Sequence, residues 1–302
     1  RRNQSMADAQ RKVIWAWQDS GDLEGSALPQ GPLQVVPFAC KDLFHLTNTH
    51  TRSGSILPTP LRKKDSSLVA ALRSLGALPV GKTHLHEFAY GLTGENLHFG
   101  NVQHPKFPDR DSGGSSSGSA AVVGAGVVPF ALGTDTAGSL RVPASYCGLF
   151  SWRGQPGHSW ITDASPLAPK FDTAGWVTHT PDDALLLLES LEGEIPTTSQ
   201  PPHGCYLPAS ALGVAADNET EVLLPAASQP LAVSPLDTDA QLARACRGVG
   251  KTYGVLQSMD AFFVRQSRLD SHRAAYGPGV WKRLDRGRHG PPAISISPHS
   301  MR

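Results

Sequence analysis

The sequence lacks an excess of charge of either sign. Its 302 residues carry 27 Lys and Arg against 26 Asp and Glu, a formal net charge of +1. Because proteins that bind nucleic acid usually present a basic surplus, a nucleic-acid partner is not expected. The densest group of charges, at 281–290, is typical of the solvated end of a helix.

Cysteines are few, and long apolar runs are missing. The four cysteines are widely spaced and form no CxxC pair, which indicates a reduced, cytoplasmic protein rather than a disulfide framework. Gly and Pro interrupt the longest apolar stretches before they reach the length of a membrane span. The beginning, RRNQSMADAQRK, has neither the apolar core of a secretory signal nor an initiating Met, so we expect a fragment or a processed chain.

Serine and glycine, in contrast, are concentrated between residues 111 and 150. Ser115 lies in GGSSSGS and Ser139 in TDTAGSLR, on either side of an apolar run. Glycines beside a serine allow sharp turns and close approach of a ligand. An isolated GGSSSG would be read as a flexible linker, but the apolar stretch AAVVGAGVVPFALG that follows argues against a linker.

Lys41 is the third residue of interest. It follows the apolar run 35–40, so we expect it at the end of a buried strand, where desolvation favours the neutral amine. A single lysine after a strand is ordinarily a solvated charge. Together with the two serines, however, it supplies the parts of a serine nucleophile that is activated without histidine.

These motifs together resemble the amidase signature family of serine amidohydrolases. The resemblance is carried by VPFACKD, GGSSSGSA and GTDTAGSLRVPASYCG, and by GKTHLHEFAYG (81–91), GENLHFG (94–100) and PLAPKFDTAGW (166–176). These matches run in order across roughly residues 31–185. Their wording is most similar to the indole-3-acetamide hydrolases of plants and their bacterial relatives.

The resemblance implies a Ser, cis-Ser, Lys triad that acts on a small-molecule amide without a metal or cofactor. Ser139 would be the nucleophile, Ser115 the bridging serine after a cis peptide bond, and Lys41 the base. Attack on the amide carbonyl would give an acyl-enzyme that water hydrolyses.

The resemblance also implies an oxyanion hole made of backbone N–H groups. Its residues would be Thr136, Ala137, Gly138 and Ser139. The family usually has glycine where this chain has Ala137, and because alanine tolerates positive φ poorly, we expect a slightly displaced hole. Asp135 and Arg141 flank this turn, and we expect them to brace it through a charge-assisted hydrogen bond.

Several residues have competing interpretations. Cys40 beside Lys41 could be a nucleophile, but its apolar neighbours favour packing. His84 and His86 form an HxH pair, yet no third ligand stands at a diagnostic spacing, so no metal site is predicted. Asp172 and Thr173 match a family stretch near the site, although an Asp that caps a turn is the simpler interpretation.

The pattern of elements predicts an α/β fold. We expect helices at 7–18, at 66–75 with a serine cap, and at 119–125, with strands at 33–40 and 77–83. The resemblance implies an α/β/α sandwich around a mixed, largely parallel sheet, apparently truncated at the C-terminus. Residues 1–191 would form the amidase signature core, and 192–302 a shortened connecting and helical lid region of the same domain.

Three functions remain open from the sequence. The first is an amidohydrolase that releases a carboxylate and ammonia. The second is the amidase subunit of a tRNA-dependent amidotransferase. The third is a catalytically weak or silent truncated chain, whose incomplete sheet edge would favour a homo-oligomer.

Overall fold

A central six-stranded sheet organises the chain in our computed structural model, which describes residues 13–18, 29–196, 204–206, 217, 233–235 and 240–290. Two compact units are distinguished: residues 1–194 with 257–302, and residues 195–256. In the second unit, β7 (Gly204–Tyr206) pairs in parallel with β8 (Val233–Pro235). The division at residue 191 stays a prediction.

The strands of the large sheet lie in the order β1-β3-β2-β4-β6-β5. They are β1 (Trp15–Gln18), β2 (Pro37–Lys41), β3 (Leu78–Thr83), β4 (Phe130–Thr134), β5 (Phe150–Arg153) and β6 (Ala174–Thr178). Strand β2 runs parallel to both β3 and β4, whereas β1 is antiparallel to β3, and β6 is antiparallel to β4 and β5. Four strands therefore run in one direction, which confirms the predicted mixed sheet.

Helices pack on both faces of this sheet. The helices of the described residues are α1 (Ser67–Ser74), α2 (Ser117–Gly124), α3 (Arg141–Cys147), α4 (Ser159–Thr162), α5 (Pro181–Glu192), α6 (Ala240–Leu269) and α7 (Pro278–Arg288). Alternate residues of a strand point to opposite faces. Phe38 and Cys40 accordingly pack with α1, α4 and α5, while Ala39 packs with α2 on the other side. The α/β fold class predicted from the sequence is confirmed.

Small residues bring α2 close to the sheet. Its sequence is SGSAAVVG, and all eight residues are buried. A Cβ at Gly118 would lie 2.7 Å from the carbonyl oxygen of His84, so only glycine allows this approach. The turn that precedes α2, with its serines, is thereby held near the ends of the central strands.

Three tryptophans pack together where β5 and β6 form one edge of the sheet. The rings of Trp152 and Trp176 stack with centroids 4.5 Å apart. Trp160 lies 6.0 Å from each of them. Trp176 is fully buried, so these rings form core rather than the lining of a ligand pocket.

The last described helices pack over a second apolar cluster. The cluster contains Leu43, Leu85 and Phe88 together with Ala261 of α6 and Leu284 of α7. Where α6 and α7 meet, a Cβ on Gly287 would collide with the Ser258 carbonyl oxygen. No helix in the described part of the chain combines the length and apolarity needed to cross a bilayer.

Two local predictions were wrong. Trp15–Gln18 is an edge strand and not the end of a helix at 7–18, whose residues 7–12 lie outside the described part. Pairing with β3 outweighs the local helical pattern, because aromatic side chains fit a half-buried sheet surface well. Helix α1 is not capped by the Ser66 side chain; its Ser67 N–H donates to the Asp163 carboxylate at 2.7 Å.

Candidate active site

The carboxyl ends of β2 and β4 place a lysine beside a threonine. Lys41 is the last residue of β2 and Thr134 the last of β4. Because the two strands are parallel neighbours, their ends meet. The Nζ atom of Lys41 lies 2.9 Å from the Thr134 Oγ1 atom, and the lysine side chain is completely buried.

The turn before α2 brings two serines to the same amine. The Oγ atoms of Ser115 and Ser116 lie 2.7 Å and 3.0 Å from Lys41 Nζ. The peptide bond between Gly114 and Ser115 is cis, at the position where the resemblance implies one. Three hydroxyl groups therefore surround the amine.

Burial controls the charge of Lys41. Desolvation lowers the pKa of its ammonium group to about 7, although the negative charges of Asp135 and Asp172 act in the opposite direction. A neutral amine donates two hydrogen bonds and accepts one through its lone pair. Three hydroxyls suit this form, because each hydroxyl can donate or accept.

The turn that carries Ser139 is joined to the other serine turn through the backbone. The Ser116 N–H donates to the Ser139 carbonyl oxygen at 3.1 Å. Ser139 follows Gly138, whose φ of +126° favours glycine. The Ser139 residue is only 3% exposed. The structure thus brings the Lys41, Ser115 and Ser139 residues into one region.

Asp135 organises the turn around Ser139. Its carboxylate accepts two hydrogen bonds from the Arg141 guanidinium, both at 3.0 Å, and others from the N–H groups of Gly138 and Leu140 at 2.7 Å and 3.1 Å. Burial opposes ionisation of Asp135, but these hydrogen bonds outweigh it and hold its pKa below the ordinary value. The buried, ionised carboxylate of Asp135 therefore braces the turn around Ser139.

The geometry bears on the expected set of oxyanion donors. The Gly138 N–H already donates to the Asp135 carboxylate, and its part in an oxyanion hole stays a prediction. Within the described ranges the N–H groups of Ala137 and Ser139 donate to no other group, and Ala137 is exposed. Ala137 does not have a positive φ, so the alanine fits its position without strain.

Asp172 fulfils both interpretations suggested by the sequence. Its carboxylate caps a turn by accepting the N–H groups of Leu167 and Ala168 at 2.8 Å and 2.9 Å. It also accepts the Thr136 hydroxyl at 2.6 Å, beside Ser139. Thr173 is paired with Asp135 through their backbones, so both residues support the nucleophile turn.

Sequence reasoning missed Ser116 and Thr134. Ser116 could be suspected only as the second serine of GGSSSGS, and Thr134 only from the strand register that sets it beside Lys41. It also missed the buried pair formed by Lys82 and Asp42, whose Nζ and Oδ1 atoms lie 2.5 Å apart.

The alternative candidates lie beside this region, and the His86 N–H donates to the Ser115 carbonyl oxygen at 3.3 Å. Burial raises the pKa of the Cys40 thiol to about 12, which removes it as a thiolate nucleophile. The His84 ring stacks on Phe99 with centroids 4.8 Å apart. Among the described residues, no group of three or more His, Cys, Asp or Glu side chains converges on a point.

Known proteins resemble this chain in sequence. The sequence profile of the Amidase family matches residues 9–223. The chain is 44% identical over 149 residues to Amidase 1 of Arabidopsis thaliana, which covers 48% of this chain and 35% of the relative. It is 39% identical over 169 residues to the indoleacetamide hydrolase of Pseudomonas savastanoi, which covers 56% and 37%.

A third relative is one of the subunits of the glutamyl-tRNA(Gln) amidotransferase of Treponema pallidum. It is 34% identical over 229 residues, covering 73% of this chain and 45% of the relative. The matched segments thus span between about a third and a half of these curated relatives.

A solved amidase crystal structure superposes with a TM-score of 0.80 at 31% identity, covering 93% of this chain and 67% of the other. The profile matches well over half of the sequence. The chain therefore belongs to the amidase family.

Proposed function

We propose that this chain is a serine amidohydrolase that converts a carboxylic amide into a carboxylate and ammonia. The observation that carries the proposal is the buried amine of Lys41, held 2.7 Å from the Ser115 hydroxyl with a pKa near neutrality. An amine that is neutral near pH 7 can accept a proton, and catalytic bases work best when their pKa is close to the working pH.

The proposed reaction gives each group one role. Ser139 Oγ attacks the amide carbonyl and gives its proton to the Ser115 oxygen, while Ser115 passes its own proton to Lys41. The tetrahedral intermediate places negative charge on the former carbonyl oxygen, which the N–H groups of Ala137 and Ser139 stabilise. Proton return from Lys41 through Ser115 to the leaving nitrogen releases ammonia, and water then hydrolyses the acyl-enzyme.

The relatives support an amide substrate. One is named an amidase and another an indoleacetamide hydrolase, which agrees with the motif wording of this chain. The function proposed for this chain is hydrolysis of a small-molecule amide in the cytoplasm.

Ammonia release from a panel of primary amides tests the proposal directly. We expect Ser139→Ala to abolish release and to prevent labelling by a fluorophosphonate probe, because both require the Ser139 oxygen. Ser145→Ala is the matched control, since Ser145 is exposed on α3 just after the turn. Labelling that persists in Ser139→Ala would assign the nucleophile to another residue.

The amidotransferase relative supports a second candidate. Similarity to the glutamyl-tRNA(Gln) amidotransferase component extends over 73% of the chain, so the same site could supply ammonia to a charged tRNA. Ammonia release by the purified chain alone favours the hydrolase. Release only after the other amidotransferase components are added favours the second candidate, and fluorophosphonate labelling without release under either condition would indicate a weak or silent enzyme.

A further inference from the structure

A polar cavity has a lining that includes none of Lys41, Ser115 and Ser139. Its volume is about 160 Å³. It is enclosed by the 51–62 segment, by Phe88 and Ser165, and by residues 264–268 of α6 with Tyr276. Four of the lining residues are arginines and none is an Asp or Glu: Arg52, Arg62, Arg265 and Arg268.

Three buried polar atoms of this lining have no hydrogen-bond partner among the residues that the structure describes. They are Thr59 Oγ1, Arg62 Nε and Arg265 Nε. Buried donors are almost always satisfied in folded proteins, because an unmet donor loses its hydration without compensation. Three unmet groups around one cavity therefore indicate an absent acceptor.

The charges of the lining select the kind of acceptor. None of the four arginines forms an ion pair with a carboxylate in the described part of the chain. Arg265 stacks 3.9 Å from the Phe88 ring centroid and donates to the Pro166 carbonyl at 2.6 Å, which orients its guanidinium. Burial also lowers its pKa to about 10, although Tyr276, Asp172 and Glu87 act in the opposite direction.

Hydroxyl groups complete the lining. Ser53 and Ser165 are hydrogen-bonded to each other at 2.8 Å, and both line the cavity together with Thr59 and Tyr276. Guanidinium forks and hydroxyls are the donors that recognise carboxylate and phosphate oxygens.

We propose that this cavity binds a small oxyanion, the carboxylate or phosphate group of a small molecule. The site shares no residue with the catalytic region, so it goes beyond the proposed hydrolase activity and stands without it. The anion would accept from Arg62 Nε, Arg265 Nε and Thr59 Oγ1.

Titration calorimetry of the whole chain with inorganic phosphate and with acetate tests the site, each against chloride at equal ionic strength. We expect saturable binding at millimolar concentrations that Arg62→Gln and Thr59→Val each weaken about tenfold. Arg110→Gln is the matched control, because Arg110 is exposed and stacks on Phe107 outside the cavity. The tighter of the two anions identifies phosphate or carboxylate as the preferred group.

Two results would overturn the proposal. The first is no saturable binding of either anion, as expected if water alone fills the cavity. The second is binding that Arg62→Gln and Thr59→Val leave as strong as in Arg110→Gln. Thr59→Val preserves side-chain shape and removes only an unpartnered hydroxyl, so it decides the question by itself if Arg62→Gln does not fold.

Discussion

The buried amine of Lys41 makes a quantitative prediction about stability. Lysine titrates at 10.5 when unperturbed and at about 7 in this fold. Between these values the unfolded chain binds one proton more than the folded chain. The free energy of unfolding therefore rises with pH by about 1.4 kcal/mol per unit. Below pH 7 both states are protonated, so the unfavourable contribution is constant and largest there.

Lys41→Met removes this titration and keeps a long, unbranched side chain. The variant also loses the hydrogen bonds to Ser115, Ser116 and Thr134. The lost hydrogen bonds lower the variant's free energy of unfolding by an amount that does not change with pH in this range. The advantage of the variant over the natural chain should therefore fall by about 3 kcal/mol between roughly pH 7.5 and 9.5.

Urea unfolding at several pH values measures this difference, since the midpoint and slope give the free energy of unfolding in each condition. Leu72→Met is the control, because it changes a fully buried residue on the opposite face of the sheet without altering a titratable group. A Lys41→Met difference that is as flat with pH as the Leu72→Met difference would refute the lowered pKa, and with it the proton acceptor of the proposed mechanism.

Three further outcomes follow from the same contacts. The rate of ammonia release should rise as the pH passes through about 7, because Lys41 then loses its proton. Lys41→Arg should be nearly inactive, since arginine stays protonated. An active Lys41→Arg variant would mean that the residue serves only as a positive charge. Asp135→Asn removes the buried charge that holds the nucleophile turn, so the free energy of unfolding from thermal melting should fall by about 3 kcal/mol. In the same variant kcat should fall while KM changes little. A wild-type kcat would contradict the bracing role. Gly287→Ala should destabilise the chain, because its Cβ would collide with the Ser258 carbonyl oxygen. Gly279→Ala in the same helix has open space and should be neutral or slightly stabilising. Equal melting temperatures for the two variants would show that α6 and α7 do not pack closely.

The parts of the site that rest on local patterns could be predicted from the sequence. Glycine beside serine indicates a tight turn wherever it occurs, and an apolar run before a lysine indicates a buried strand end. The proximity of Lys41, Ser115 and Ser139 was expected from these motifs together with the family resemblance that they carry. The α/β class followed in the same way from alternating elements.

The parts that depend on register or on distant contacts could not be predicted. Thr134 meets Lys41 only because β2 and β4 pair in parallel. Asp163 caps α1 from 96 residues away. The Gly138 N–H donates to Asp135 because the Asp135 carboxylate turns back toward its own turn. The spacing of residues in the sequence does not determine that orientation. Trp15–Gln18 forms a strand because it pairs with the edge of β3.

The packed indoles of Trp152, Trp160 and Trp176 give the molecule an optical signature. At centroid separations of 4.5–6.0 Å, the transition dipoles of the rings couple, so the three chromophores absorb and emit together rather than independently. Their combined circular dichroism depends on the mutual orientation of rings carried by β5, β6 and α4. The circular dichroism of the unlabelled chain can therefore show whether this edge of the sheet is folded.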